Sequence, residues 1–366
     1  MKILHLPESV GGNAWGLSRG ERAIGLDSRV LTLYRGNFEY PSDISYDLDG
    51  RSRAAKFIGH LKAVLRHRSG YDAYNFNYGT SILNFPKFGM VMSDLGIFDS
   101  RARKIFTYQG CDARQKYPTM ARNRDLGSRM AACFEDGCYG GMCNSGERDR
   151  QRRAAIEAAA KHAGHMFAVN PDLLYFLPKE ISSFVPYTVA GYDEIRPRER
   201  PFFDDDLVRI AHAPTQRVAK GTGFILAALE TLKEEFGSRI EIDVVENQPH
   251  AQALDRYRRA DLFIDQALVG WYGAAAVEAM KMGIPVATFV NDDHLRFVPA
   301  EMAGSLPFLR ISIADIVRPL RQFMNDREMA NDLSARGRRF VARWHDPAKV
   351  ATVTRAAYLG EPLPSL

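Results

Sequence analysis

The amino-acid sequence predicts an α/β protein made of two parallel-sheet units. Three observations carry this. From Val208 to Val290 short apolar runs alternate with helical patterns, and the connections are short, as parallel strands joined by crossover helices require. A similar alternation runs from Lys2 to Val189. Between the two, Gly191 to Asp206 is dense in Pro, Arg and Asp, the composition of a linker between domains. The chain has 366 residues, enough for two ordinary cores.

Composition narrows the class. With 46% hydrophobic and 25% charged residues the chain reads as globular, and no run of about 18 apolar residues predicts a membrane-spanning helix. Met1 to Leu6 leads straight into a glycine loop, so no signal peptide is expected and the predicted location is cytoplasmic. The net charge of +5 permits an anionic ligand without requiring one. Lys and Arg are not concentrated with aromatics on any one element, which argues against a nucleic-acid partner.

In the first unit Lys2 to Leu6 reads as a buried strand, followed by Gly11-Gly12 and a helix from Leu17 to Ile24. Glycines between strand and helix let the backbone approach an anion at the helix N-terminus; a tight turn without a ligand needs them equally. The spacing is not G-x-G-x-x-G, and the next strand, Ser28 to Leu33, ends without a carboxylate for a ribose. A dinucleotide dehydrogenase is therefore disfavoured. Arg51 to Arg68 is a basic amphipathic helix with Phe57, Ile58, Leu61, Val64 and Leu65 on one face. That face can lie on an anionic membrane or pack on the sheet; the second reading is preferred. Two further strands end in polar residues, with Asn77 and Asp112 as candidate site residues or as caps of the turns that follow. Phe88 to Phe98 reads as a helix.

Tyr117 to Gly146 is irregular and rich in Gly, Arg and Cys. All four cysteines, Cys111, Cys133, Cys138 and Cys143, fall within or just before it. Four thiols fit a structural tetrahedral zinc that would order a loop poor in apolar residues. None of the pairs has C-x2-C spacing, so plain thiols are the other reading. Arg148 to Lys161 is a charged helix, His165 to Val169 a strand, Asn170 onward a helix start and Ser183 to Val189 a last strand.

In the second unit the strand beginning at Val208 delivers Arg217 and Lys220 on one loop, and Gly221-Thr222 opens a helix. Arg offers a planar fork and Lys a point charge for phosphate. Strands at Ile240 to Val245 and Leu262 to Asp265 follow; Gly273 then opens a helix that carries Glu278, a carboxylate able to accept two ribose hydroxyls. Each residue alone also suits a surface charge or a helix salt bridge. Together they suit a nucleoside diphosphate lying across the strand ends. A strand at Pro285 to Val290 and helices at Ile311 to Met324, Arg327 to Trp344 and Pro347 to Leu359 complete the chain.

The phrases Arg217-x2-Lys220-Gly221-Thr222, Tyr257 to Asp265, and Gly273-x4-Glu278-Ala279-Met280-x2-Gly283-x-Pro285-Val286 resemble the nucleotide-binding domain of GT-B glycosyltransferases, in particular retaining family 4, of glycosyltransferase group 1. The resemblance implies two Rossmann-like, doubly wound domains facing a cleft, with a C-terminal helix crossing back to the first. The implied boundaries are 1–190 with a Cys-rich insertion at about 111–146, then 191–345, then 346–366. It further implies a retaining hexosyltransferase (EC 2.4) of bacterial polysaccharide-biosynthesis type. Such an enzyme moves sugar from a nucleoside diphosphate sugar to a glycan, lipid-linked or small-molecule acceptor and needs no catalytic cofactor. Arg217, Lys220 and Gly273 would hold the diphosphate with Gly11 and Gly12, Glu278 the ribose, and Asp112 and Asn77 the acceptor side. A peripheral seat on the inner membrane face through residues 51–68 fits a lipid-linked acceptor. Two positions depart from the family: its first motif glutamate falls at Gly270, and its frequent first-domain histidine at Gln109. They motivate the alternative of a non-catalytic nucleotide-sugar or glycan binding protein.

Overall fold

The computed structural model describes residues 1–36 and 38–365; Leu366, the end of the terminal segment, lies outside them. The strands are β1 (Lys2–Leu6), β2 (Asp27–Thr32), β3 (Ile44–Ser45), β4 (Ala73–Asn77), β5 (Arg103–Tyr108), β6 (His165–Ala168) and β7 (Ser182–Phe184). After them come β8 (Val208–His212), β9 (Ile240–Val244), β10 (Leu262–Gln266), β11 (Val286–Thr288) and β12 (Phe308–Arg310). The first helices are α1 (Asn13–Ala23), α2 (Arg53–His67), α3 (Lys116–Asp125), α4 (Glu147–Ala160), α5 (Arg217–Lys220) and α6 (Thr222–Phe236). The later ones are α7 (His250–Tyr257), α8 (Ala274–Met282), α9 (Ala300–Gly304), α10 (Val317–Met324), α11 (Arg327–Trp344) and α12 (Pro347–Leu359).

The chain divides into two compact units. One comprises Met1–Gln115, Glu147–Ala190 and Trp344–Leu366, the other Lys116–Gly146 and Gly191–Arg343. The first holds a seven-stranded sheet in the order β3-β2-β1-β4-β5-β6-β7, the second a five-stranded sheet in the order β12-β11-β10-β8-β9. All pairings in both are parallel. Strands covered on both faces read as continuous apolar runs, and Ile3, Leu4, Leu6, Ile210, Phe263 and Ile264 are fully buried accordingly. Strand order reverses between β1 and β4 in one sheet and between β8 and β10 in the other. Such switch points leave a crevice beyond the carboxyl ends of the strands.

α12 packs within the first unit, on α1. Their crossing is close because Gly20 has no side chain: a Cβ there would lie 2.0 Å from the Pro347 carbonyl oxygen. Beneath it Glu21, fully buried, accepts from Ser28 Oγ at 2.6 Å and Tyr358 Oη at 2.7 Å and meets His5 Nε2 at 2.7 Å. Burial alone would raise this carboxyl, yet His5, Ser28 and Tyr358 hold it below the usual range.

The structure corrects four expectations. Phe88 to Phe98 is not a helix. The segment folds back on residues 80–83, where Asp94 accepts from Ser81 Oγ and, at 3.0 Å, from Ile82 N. Asn170 leads into a single 3-10 turn, Pro171–Tyr175, instead of a longer helix. α2 buries Gly59, His60, Ala63, Val64 and His67, with Leu61 partly buried, and leaves Phe57, Ile58 and Leu65 exposed, so only part of the expected apolar face packs on the core. The small stripe wins because it fits: a Cβ on Gly59 would sit 2.6 Å from Leu48 Cδ2. Finally, the insertion from Lys116 to Gly146 groups with the second unit and not with the first.

That grouping and the zinc expectation fail together. Among the described residues no group of three or more His, Cys, Asp or Glu stands close enough to hold a metal ion, so a site of Cys111, Cys133, Cys138 and Cys143 is not formed. Cys111 belongs to the first unit and the other three to the second. Order in the insertion comes from polar contacts. Buried Lys116 donates to Asp136 Oδ1 at 3.0 Å and Asn144 Oδ1 at 2.6 Å, and Tyr117 donates to the Asn144 carbonyl. Ala132 N donates to the Leu268 carbonyl at 3.2 Å, which ties the insertion to the loop after β10.

Candidate functional site

In the second unit the crevice lies between β8 and β10. β8 ends at His212, whose ring is fully buried. Nδ1 meets the Ile264 carbonyl at 2.8 Å and Nε2 meets Thr222 Oγ1 at 2.9 Å. The carbonyl can only accept, so Nδ1 carries the proton and Nε2 accepts from the threonine hydroxyl. Burial lowers this imidazole to about 4 and keeps it neutral. His212 thereby pins the start of α6 to β8.

The loop between them forms the short turn α5 and closes at Gly221, which adopts φ 72°. Leu268 and Ala267 lie 3.2 and 3.3 Å from where its Cβ would be. Both left-handed backbone and this crowding favour glycine. The turn sends Lys220 toward β10, where Nζ donates to Asp265 Oδ1 at 2.6 Å. The second oxygen, Oδ2, accepts from Gly273 N at 2.9 Å, at the N-cap of α8. Two donors that the sequence assigned to a diphosphate, one ammonium and one helix-opening N–H, thus converge on one carboxylate. Asp265 is nearly fully buried and Lys220 is partly open to solvent. Lys220 has three N–H donors and Asp265 takes one of them.

Arg217 stands exposed and forks onto Glu246, at 2.8 and 2.6 Å. Glu246 is held below the usual carboxylate range by that hydrogen bond. Exposed pairs of this kind are weak, so an anionic ligand can compete for the guanidinium. Glu278 is buried on α8, with Oε1 2.6 Å from His250 Nε2 at the start of α7. Burial, with Glu278 and Asp265 nearby, pushes the Tyr257 hydroxyl far above its ordinary range. Gly270 adopts φ 85°, and a Cβ there would lie 3.1 Å from both Asn291 Cβ and His294 Cε1. A glutamate cannot occupy this backbone without strain.

In the first unit Gly11 and Gly12 turn the chain from β1 into α1 with φ 61° and 69°. A Cβ on Gly12 would fall 2.8 Å from Ala190 Cβ, so packing alone accounts for that glycine. Asp112 closes the turn after β5, accepting from Gln109 N at 2.8 Å, Gly110 N at 2.6 Å and Ala113 N at 3.1 Å. Its cap role is therefore real. Burial nevertheless pushes the carboxyl up to about 6, against those three donors. Asn77 ends β4 fully buried. Its amide nitrogen donates to the Asn75 carbonyl at 3.2 Å, while its Oδ1 has no partner among the described residues. The carboxamide of Gln109 and the hydroxyl of Tyr108 are likewise buried without partners among the described residues. Buried polar atoms in this state are rare and call for an explanation.

Sequence reading placed Arg217, Lys220, Gly273 and Glu278 but missed their partners Glu246, Asp265 and His250, and missed His212. Asp265 and His212 were visible as polar residues at strand ends. Glu246 and His250 gave no comparable signal.

Residues 209–340 match the family model for glycosyl transferases group 1. No curated protein matches the chain. Among solved structures, sucrose-phosphate synthase from Thermosynechococcus elongatus shares 16% identity at a TM-score of 0.56 and covers 98% of each chain. The Anabaena protein HepE, in complex with UDP and glucose, shares 12% identity at 0.58, covering 99% of this chain and 100% of that one. UDP-GlcNAc 2-epimerase from Neisseria meningitidis, bound to UDP-GlcNAc, shares 11% at 0.51, with 98% and 100% covered. Likenesses at this identity establish the fold, which is the GT-B architecture.

Proposed function

We infer that this chain, a glycosyltransferase whose residues 209–340 form a glycosyl transferases group 1 domain, retains anomeric configuration as it moves a sugar from a nucleoside diphosphate to a glycan, lipid-linked or small-molecule acceptor. One observation carries the donor reading: Lys220 Nζ and Gly273 N–H converge at the switch point of the second sheet, at the opening of α8. An anion there meets a cation and a helix N-terminus together. The UDP in the complex of HepE is consistent with such a ligand.

In this reading Lys220, Gly273 and Arg217 bind the diphosphate, and Glu278 binds the ribose in place of His250. Charge grows on the leaving diphosphate as the glycosidic bond breaks. Fixed cations and backbone donors aimed there lower the barrier, and no metal is required of them. Asn77 and Asp112 serve the acceptor side. The unpartnered Asn77 Oδ1 and Gln109 carboxamide, at the ends of adjacent strands, support that assignment because acceptor hydroxyls would satisfy them. Gln109 can orient a hydroxyl but cannot take its proton.

The test is a thermal-shift screen of UDP, GDP, ADP and their sugars. The stabilising donor is then incubated with candidate acceptors, and the product's anomeric configuration is read by NMR. Stabilisation by none of them refutes the donor site; an inverted anomer refutes retention.

A further inference from the structure

We propose that the outward face of α2 docks the protein on an anionic lipid bilayer. The helix turns its small stripe inward and leaves Phe57, Ile58 and Leu65 exposed, with Leu61 partly buried against the core. At about 100° per residue, Phe57, Leu61, Leu65 and Ile58 share one arc of about 100°. Leu65 is 63% exposed, Ile58 51% and Phe57 44%. The Phe57 ring reaches Phe85 at 6.4 Å between centroids, and the turn just after Phe85 puts Phe88 in solvent at 82% exposure. The apolar patch therefore extends from the helix onto that turn. Isolated exposed apolar residues are ordinary, but a contiguous set on one helix face marks a contact surface.

The charge pattern selects the occupant. Residues 51–68 contain Arg51, Arg53, Lys56, Lys62, Arg66 and Arg68 and no Asp or Glu. Lys56 turns aside, 5.8 Å over the Tyr34 ring. Lys62 and Arg66 follow the apolar arc along its edge, and Lys87 accompanies Phe88, all three exposed. Some exposed arginines of this unit hold carboxylates, as Arg101 does Asp99 and Arg35 does Asp47. Arg53, Lys62, Arg66 and Lys87 hold none among the described residues. An apolar stripe bordered by unpaired cations suits the headgroup and acyl boundary of an anionic bilayer. A second copy of this chain would bring the same cations face to face.

The experiment is co-sedimentation of the full chain with vesicles of phosphatidylglycerol and phosphatidylcholine, against phosphatidylcholine alone, at low and high salt. We expect at least tenfold stronger partition onto the anionic vesicles, reduced by salt, and at least a tenfold loss in Lys62→Glu/Arg66→Glu and in Ile58→Gln/Leu65→Gln. These positions are exposed, and an unchanged melting temperature verifies the fold. Equal partition onto both vesicles, or wild-type partition by both variants, overturns the proposal. Concentration-dependent dimers that the same variants disperse overturn it in favour of a second copy. Donor turnover enters none of these readings, so the result is independent of the proposed reaction.

Discussion

Removing the Lys220 ammonium should be felt in two separable ways. In Lys220→Met the chain keeps its bulk but loses the ion pair to Asp265, which is 1% exposed. Asp265 then retains only the Gly273 N–H. Breaking a buried pair from one side costs about 3–5 kcal/mol. Lys220 is 18% exposed, and water can reach its end of the pair, so the lower figure of about 3 kcal/mol is expected. Adding Asp265→Asn removes the stranded charge, and the amide oxygen can still accept from Gly273. The double variant should therefore recover most of the stability, to within about 1 kcal/mol of wild type. Turnover should not recover, because a fixed donor to the leaving diphosphate is worth about 10²–10³ in kcat. Urea denaturation reads the first effect and donor-dependent release of nucleoside diphosphate the second. If the double variant regains turnover together with stability, Lys220 serves only to neutralise Asp265, and the leaving-group assignment is refuted.

Three other outcomes follow from the geometry. Gly270→Glu, which introduces the carboxylate that the resemblance implies at this position, should destabilise by about 1–3 kcal/mol and lower activity, since φ 85° and the neighbouring His294 ring both oppose a side chain; a gain in turnover would contradict this. Gly20→Ala should cost about 1–3 kcal/mol or more in denaturant unfolding, because the new methyl meets the Pro347 carbonyl at 2.0 Å and must push α12 away. Acidification should destabilise the fold: His212 falls from an ordinary 6.5 to about 4 on folding, so its stabilisation is complete above pH 6.5 and is lost as pH drops toward 4. The loss is roughly 3 kcal/mol over that window at about 1.4 kcal/mol per unit. His345, buried and equally lowered, adds a similar share, and His212→Gln should flatten the pH profile of the melting temperature by its own part.

The alternation of apolar runs and helical patterns determined both parallel sheets except the short edge strands β3 and β12, because strand and helix periodicities are local and a βαβ connection leaves little topological choice. The glycines at 11, 12 and 221 were equally legible as places where the chain leaves one element and opens the next. The sequence also placed Arg217, Lys220, Gly273 and Glu278 at strand ends and helix openings, since those positions follow from element boundaries. Partners were beyond it. Lys220 meets Asp265 across 45 positions and Glu278 meets His250 across 28, and only the folded sheet closes those distances. The insertion at Lys116–Gly146 reads as a metal loop while its neighbours are unknown; in the fold, Lys116 orders it within the second unit. The helix at α2 shows the same limit. Periodicity established that an apolar stripe exists, but which stripe is buried depends on close fit, and Gly59 against Leu48 decided it, leaving Phe57, Ile58 and Leu65 to solvent.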